Sequence, residues 1–234
     1  MKRTLPFLII IAVLGVALGF AWYLTRSVPS SSTAAGQPAP ASGSQPATTR
    51  PVANRGVAGA EPAHTKGPAN APAQIEEFGD FQCPPCGLFH PILEQMEAEF
   101  GDQLRVTFRE FPLVPTHQHA LAAASAAEAA GLQGKFWEMH KQIYDHQNDW
   151  KAQFDVRPIF EGYAKAIGLD VDRYNRDINS DIVAQRIFLD GKRAHSLGVQ
   201  GTPTVFLNGV EVPFDSLPAE KLRVLIKKEI GSKK

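Results

Sequence analysis

Apolar and polar residues repeat with different periods along the chain, and each change of period marks a predicted element. Residues 5–24 form one unbroken apolar run, and residues 27–66 show no periodicity. Alternating, strand-like patterns follow at residues 74–81 and 104–111, separated by a segment in which apolar residues recur at helical spacing. This order predicts a strand–helix–strand unit behind a long non-globular N-terminal segment.

The C-terminal half of the chain predicts a helical block, a hairpin and a closing helix. The pattern over residues 117–198 is helical throughout. Two short apolar strands then flank Asn208-Gly209, a dipeptide typical of a two-residue type I′ turn. A last amphipathic helix is predicted over residues 216–230. The pattern indicates an α/β domain with a helical insertion at about residues 115–198.

Residues 1–26 are predicted to form an uncleaved signal anchor, that is, a single transmembrane helix. An apolar run of about 20 residues can cross a bilayer as a helix. Trp22 and Tyr23 end the run as interfacial aromatics, and no small-residue cleavage site follows promptly, which argues against a cleaved signal peptide. Because Lys2 and Arg3 precede the run, we expect a cytoplasmic N-terminus and a domain in the periplasm or another extracytoplasmic space.

Composition separates a linker from a globular domain. Residues 27–66 are rich in Ala, Pro, Ser and Gly and poor in large apolar residues, so they are predicted to be a disordered linker. Residues 67–234 are long enough to form one domain with its own core. The net charge is zero and no basic stripe is present, so no nucleic-acid partner is expected. No phosphate-binding glycine motif is present, and no organic cofactor is expected.

The candidate chemistry lies in a Cys-Pro-Pro-Cys motif between the first predicted strand and helix. Cys83 and Cys86 are the only cysteines in the sequence. A residue before proline avoids the α conformation and proline suits the first helical position, so Cys83 is predicted to cap the helix. There the free backbone N–H groups and the helix dipole favour the nucleophilic thiolate. We therefore expect a redox-active disulfide, in which Cys83 attacks and Cys86 resolves.

Two other interpretations of the motif stay open. A purely structural disulfide is the weaker one, because so local a bridge removes little chain entropy. A zinc or copper site made of Cys83, Cys86 and His90 is the other, because thiolates and imidazole bind both metals. It lacks an evident fourth ligand, and no metal is our expectation. His90 could instead tune the dithiol or lie on the helix surface, and His117 and His119 are interpreted as a helix-entry feature.

Several stretches resemble the DsbA-like thiol:disulfide oxidoreductases of the thioredoxin superfamily. These stretches are EFGDFQCPPC, REFPL, GKFWEMH, AIGLD and GVQGTPTVFLNG. Together they span nearly all of residues 67–234. The resemblance implies a thioredoxin-like fold with an inserted helical domain, and disulfide exchange with the cysteines of substrate proteins. Since no cofactor is expected, electrons must pass to or from a redox partner in the membrane or periplasm.

The resemblance also implies roles for residues outside the motif. Pro203 matches the family's cis-proline, beside which the Thr202 backbone would bind a substrate segment by β-augmentation. Glu77 matches a buried acid beneath the dithiol that exchanges a proton with Cys86, although a solvent-facing strand glutamate is the alternative. The neighbouring Glu76 departs from the family's usual apolar residue. Because adjacent strand residues point to opposite faces, only one of the two glutamates can face the dithiol.

Overall fold

A computed structural model describes residues 56–232 of the chain. The predicted transmembrane helix at residues 1–26 and the first part, residues 27–55, of the linker predicted at residues 27–66 lie outside the described residues. Between residues 56 and 232, none of the helices has both the length and the apolar character needed to cross a bilayer.

The strands of residues 56–232 form one five-stranded sheet in the order β1-β3-β2-β4-β5. They are β1 (His64–Lys66), β2 (Ala73–Gly79), β3 (Leu104–Glu110), β4 (Thr204–Leu207) and β5 (Val210–Val212). β2 and β3 run parallel, with Glu77 beside Phe108, and the other neighbouring strands are antiparallel. The parallel pair needs a crossover helix, which the sequence supplies directly after the motif.

The α-helices of residues 56–232 divide into two that belong to the sheet layer and six that form the insertion. The first two are α1 (Pro84–Phe100), which connects β2 to β3, and α8 (Ala219–Ser232) at the C-terminal end. Between β3 and β4 lie α2 (Ala120–Gly131), α3 (Phe136–Asp145), α4 (Gln147–Trp150), α5 (Arg157–Ala166), α6 (Val171–Asp177) and α7 (Asp181–Ser196). This arrangement confirms the thioredoxin-like α/β fold with an inserted helical segment.

Each face of the sheet has its own core. Ile75 on one face packs with Leu93 of α1 and Leu222 of α8. Phe78 on the other face packs with Ala194 of α7. The inserted helices bury a separate aromatic and alanine-rich cluster against the motif end of the sheet, because small side chains let α2 approach its neighbours closely. The dithiol therefore lies where the sheet layer meets the inserted helices.

The predicted linker boundary at residue 66 is wrong, because residues 56–66 belong to the domain. β1 pairs antiparallel with β3, and Ala60 has no exposed surface. The Ala60 amide donates to Asp190 at 2.7 Å, and its carbonyl oxygen accepts from Arg109 at 2.7 Å. These bonds use the backbone of the segment, so its small, polar composition does not reveal them.

The hairpin between β4 and β5 confirms the predicted type I′ turn. Both turn residues have positive φ, 49° at Asn208 and 79° at Gly209. The Asn208 side chain also accepts from the Gln74 amide at 2.9 Å. The turn thereby ties the hairpin to the start of β2.

Candidate active site

The backbone at the start of α1 has the predicted geometry. Cys83 is the N-cap with extended φ and ψ of −66° and 120°, and Pro84 is the first helical residue. Cys83 retains 4% of its surface and Cys86 retains none. Both cysteines are free thiols in this structure. Only Cys83 can therefore meet an incoming sulfur without a change in structure.

The surroundings of Cys83 favour its thiolate. A hydrogen bond from the Cys86 thiol is the main cause, and it lowers the pKa of Cys83 to about 6. The Thr202 side chain and the Cys86 backbone amide act in the same direction, while burial and the Asp80 carboxylate oppose them. Because Pro84 and Pro85 carry no N–H, the Cys86 amide is the first that the helix can offer to this sulfur.

Cys86 has the opposite character. Burial first, and then its hydrogen bond to Cys83 and the negative charge of Glu77, raise the pKa of Cys86 well above its ordinary value. Cys86 thus stays protonated at a pH at which Cys83 has already lost its own proton. The two thiols lie one turn apart and differ because one meets hydrogen-bond donors and the other meets a dry interior.

The structure places Glu77 and Glu76 on opposite faces of β2. Glu77 is 2% exposed, and burial raises its pKa to about 8. Burial also acts on Glu76, but hydrogen bonds from Arg193 at 2.7 Å and Arg109 at 2.9 Å outweigh it and lower the pKa of Glu76. Glu77 is therefore the glutamate on the dithiol side of the sheet, and the solvent-facing alternative for it is wrong.

Thr202 and Pro203 lie against the dithiol. The Thr202–Pro203 peptide bond is cis. The Cys83 thiol donates to the Thr202 carbonyl oxygen at 3.2 Å. These contacts bring together residues 119 positions apart in the chain, as the resemblance implied.

An apolar groove of about 220 Å³ opens beside this contact. Its lining residues are Pro85, Leu88, Phe89, Ile92, Pro203, Phe214, Leu217 and Pro218. Leu88 is 74% exposed and Phe214 is 64% exposed. The groove thus presents unburied apolar side chains beside Pro85 of the motif and the cis proline Pro203.

Gln147 and Asp80 are site residues that sequence reasoning missed. The Gln147 amide donates to the carbonyl oxygens of Phe81 at 2.7 Å and Cys83 at 2.9 Å. The Asp80 carboxylate accepts from the backbone amides of Gln82 at 2.7 Å and of Leu113. Gln147 holds the turn before α1 from the side of the inserted helices, and Asp80 holds it from the end of β2. No local pattern marks either residue.

The histidines differ in part from the expectation. His90 is buried, with 6% exposure, so of the two alternatives for this residue the place on the helix surface is wrong. His117 bonds to Asp80 at 2.8 Å, and the His119 amide donates to Gln82 at 2.6 Å, which fits a helix-entry role.

In the part of the chain that the structure describes, the ligand atoms of Cys83, Cys86 and His90 do not come together as a metal-binding group. The alternative metal site at the dithiol is therefore not supported.

Comparisons with known proteins agree with the fold. Residues 60–228 match the model of a family described as Thioredoxin. The oxidised BdbD structure from Bacillus subtilis is 21% identical with a TM-score of 0.64, covering 72% of this chain and 93% of that one. Wolbachia pipientis alpha-DsbA1 is 20% identical with a TM-score of 0.62, covering 74% and 93%. At these identities the structures establish similarity of fold.

Sequence relatives extend the comparison to a class of longer proteins. The Na(+)/H(+) antiporter NhaA 1 of Mycolicibacterium vanbaalenii is 39% identical over 149 residues, which are 63% of this chain and 23% of the antiporter. The NhaA 1 antiporter of Salinispora arenicola is 41% identical over 147 residues, 62% of this chain and 22% of the antiporter. The chain thus spans about a quarter of the length of these relatives. Since the family match covers most of the chain, the protein belongs to the thioredoxin family.

Proposed function

We propose that this protein is a thiol:disulfide oxidoreductase that exchanges disulfides with the cysteines of other proteins. The observation that carries the proposal is the pairing of opposite thiols, with Cys83 at the helix cap favouring a thiolate and Cys86 one turn inside keeping its proton. A low-pKa thiol that still reaches the surface, beside a resolving thiol, is the arrangement that disulfide exchange requires.

The reducing direction starts from the dithiol. The Cys83 thiolate attacks one sulfur of a substrate disulfide and forms a mixed disulfide with it, while the substrate S–S bond breaks and the other substrate sulfur leaves as a thiolate. Glu77, in its ionised form, then takes the proton of Cys86, and the Cys86 thiolate attacks Cys83, so that the mixed disulfide breaks and the second substrate sulfur leaves as a thiolate. Two electrons have moved to the substrate, and a redox partner must supply them again.

The oxidising direction uses the same atoms in reverse. A substrate thiolate attacks Cys83 of the Cys83–Cys86 disulfide, and the Cys86 thiolate leaves and takes a proton from Glu77. The substrate's second thiolate resolves the mixed disulfide. In this direction the dithiol must pass two electrons to a partner in the membrane or periplasm.

The surface around Cys83 fits an extended polypeptide as the substrate. The Thr202 backbone lies beside the sulfur, so a substrate strand can pair with it by β-augmentation. The groove past Leu88 and Phe214 offers burial to apolar side chains that follow the substrate cysteine. We therefore propose unfolded or flexible protein segments as the substrate class.

The two prolines of the motif set the expected redox poise. Fewer backbone donors reach Cys83 than in a motif with one proline, so its thiolate is expected to be less stable than that of DsbA, whose pKa is about 3.5. A pKa of about 6 for Cys83 agrees with this reasoning. We expect a reduction potential below the roughly −120 mV of DsbA, in the range of about −180 to −270 mV.

We further propose that the domain is tethered outside the cytoplasm by residues 1–26. The apolar run at residues 5–24, preceded by Lys2 and Arg3, supports this topology. The full chain should sediment with membranes and retain its N-terminal residues. N-terminal sequencing that begins near residues 34–36 would instead show a cleaved signal peptide. The similarity to antiporters covers less than a quarter of their length and adds no transport activity to the proposal.

Turnover assays with the full chain test the proposed activity. The protein should catalyse reduction of insulin by dithiothreitol and oxidation of a reduced, unfolded substrate protein. Glutathione equilibration should give the potential stated above. Lack of both activities in a chain whose Cys83–Cys86 disulfide forms and breaks normally would show that the dithiol serves another purpose.

A further inference from the structure

A second group of chemically active side chains lies on the side of α1 that faces the inserted helices. His90 and Glu94 are one turn apart on α1, and Asp145 is the last residue of α3. One ligand atom from each lies within 4.8 Å of the other two, and within residues 56–232 no other three His, Cys, Asp or Glu side chains meet this condition. None of these residues has a part in the proposed disulfide exchange.

His90 is the decisive member of the group. Its side chain is 7% exposed, and its Nε2 atom is buried without a hydrogen-bond partner. Nε2 lies 3.4 Å from an Asp145 oxygen and 3.8 Å from a Glu94 oxygen. The ring is stacked on Tyr144 with a centroid distance of 5.1 Å, which holds Nε2 toward the two carboxylates. A buried nitrogen without a partner normally requires an explanation.

The spacing of these atoms suits a tetrahedral ion. Ligand bonds of about 2.0–2.1 Å at tetrahedral angles place neighbouring ligand atoms about 3.3 Å apart. The observed separations from His90 Nε2 need only small side-chain adjustments to reach this value. A neighbouring cavity of about 360 Å³ is lined by His90 and Asp145, so water can reach the remaining position.

Lys141 currently neutralises the two carboxylates. Its Nζ lies 2.8 Å from Glu94 and 3.0 Å from Asp145. The Lys141 side chain is 50% exposed, and it can turn to solvent without leaving a buried gap. A divalent ion between the carboxylates would replace this cation and would also satisfy His90 Nε2, which Lys141, a donor only, cannot do.

We propose that His90, Glu94 and Asp145 form a zinc-binding site in which Lys141 competes with the metal. One imidazole nitrogen and two carboxylate oxygens with an open fourth position match the ligand types of zinc. Magnesium and calcium prefer all-oxygen sites and should bind more weakly. Because His90 is on α1 and Asp145 is on α3, a bound ion joins the active-site helix to the inserted helices.

Zinc titration of the full chain in its oxidised form tests the proposal. The closed disulfide removes both thiols as ligands, so the result does not depend on the proposed redox function. Calorimetry should show one zinc ion per chain, and thermal unfolding should shift upward with zinc. His90→Gln should weaken binding by at least the roughly 10–100-fold known for lesser changes at metal sites.

Lys141→Met distinguishes a zinc site from an ion-pair cluster that serves only to stabilise the fold. Removing the competing cation at this exposed position should tighten zinc binding by roughly five- to tenfold. Lys165→Met is the matched control, because Lys165 forms a similar i,i+4 pair with Glu161 in another helix. It should leave zinc affinity unchanged.

Three results would contradict the proposed zinc site. Absence of saturable zinc binding to the oxidised chain would overturn the proposal, as would binding of magnesium or calcium equal to that of zinc. Failure of Lys141→Met to tighten binding would do the same. If His90→Gln fails to fold, Asp145→Asn at the helix surface replaces it, with the same expected loss.

Discussion

The outer and inner halves of the dithiol site differ in almost every physical respect. On the outer side, Cys83 meets hydrogen-bond donors, the Thr202 backbone and an open apolar groove. On the inner side, Cys86 and Glu77 are buried, and the pKa of each is raised mainly by burial. One short motif thus acquires two chemical roles because its ends lie in different environments. The outer thiol carries charge, and the inner groups carry protons.

The largest expected effect comes from exchanging the two cysteines for serine. Cys83→Ser should abolish disulfide exchange, because Cys83 is the one of the two cysteines that retains exposed surface. Cys86→Ser should keep the attacking thiolate and accumulate mixed disulfides with substrate, which non-reducing electrophoresis and mass spectrometry would detect. Trapped complexes in Cys83→Ser rather than Cys86→Ser would reverse the assignment of outer and inner roles.

Glu77→Gln should separate activity from stability. The variant keeps the shape of the side chain but can no longer exchange a proton with Cys86, so the exchange rate should fall by roughly 100-fold or more. Its stability should rise, because the unfolded chain releases the Glu77 proton above the ordinary pKa of 4.5 while the folded chain keeps it to about 8. The stability of the reduced native protein therefore decreases with rising pH across this window, by on the order of 3 kcal/mol at pH 7.

Denaturant unfolding of the reduced chain from pH 4 to pH 8, with stopped-flow exchange rates, measures both effects. Glu76→Gln is the matched control on the opposite face of β2. It should lose roughly 1.5–3 kcal/mol of stability, because charged hydrogen bonds from Arg109 and Arg193 are lost, and exchange should continue at the native rate. Equal behaviour of the two variants would contradict the assignment of Glu77 to the dithiol side.

Gln147→Met should produce a smaller and mainly structural effect. Methionine fills the same volume but leaves the carbonyl oxygens of Phe81 and Cys83 without their buried donor. We expect a loss of roughly 1–3 kcal/mol in the free energy of unfolding, measured by urea titration. Gly87→Ala should lose stability through the same contact, because a Cβ there would lie 2.6 Å from Gln147 Oε1. Unchanged stability in both variants would show that the hydrogen bonds from Gln147 to Phe81 and Cys83 contribute nothing to the stability of the fold.

Thr202→Val should give the smallest effect, a change in the reactivity of Cys83 in the outer half of the site. Within residues 56–232, the buried Thr202 hydroxyl has no hydrogen-bond partner and is available to donate to the Cys83 thiolate, so its loss removes one of the groups that lower the pKa of Cys83. Alkylation of Cys83 at pH 6 should slow by roughly two- to tenfold. Thr204→Val is the control, because the Thr204 hydroxyl instead donates to the Gly201 carbonyl oxygen at 2.8 Å. A similar slowing in Thr204→Val would assign the effect to local disturbance.

The sequence predicts the outer half of the site better than the inner half. A cysteine before proline at a strand–helix junction is a local signal, and the structure has the predicted cap at Cys83. Strand alternation showed that Glu76 and Glu77 face opposite ways, but only the resemblance indicated which of them is buried. Gln147 contacts Cys83 across 64 positions of sequence, and no local pattern encodes such a contact.

The errors in the sequence-based description have the same physical origin. Composition predicts that residues 56–66 belong to the linker, yet their backbone pairs with β3 and bonds to the Asp190 carboxylate from the insertion. Helical spacing alone leaves a surface position for His90 open as one of two alternatives, yet α3 covers its ring. Packing between distant segments decides both cases, and periodicity within one segment does not report on it.

The most direct test of the central claim is the pH dependence of alkylation of the reduced full chain, with each modified cysteine identified by mass spectrometry. The account predicts that iodoacetamide modifies Cys83 with a midpoint near its pKa of about 6, while Cys86 stays unmodified up to alkaline pH. A Cys83 midpoint near its ordinary value of 9.0, or faster modification of Cys86 at neutral pH, would contradict the division of the site into a charged outer thiol and a protonated inner one.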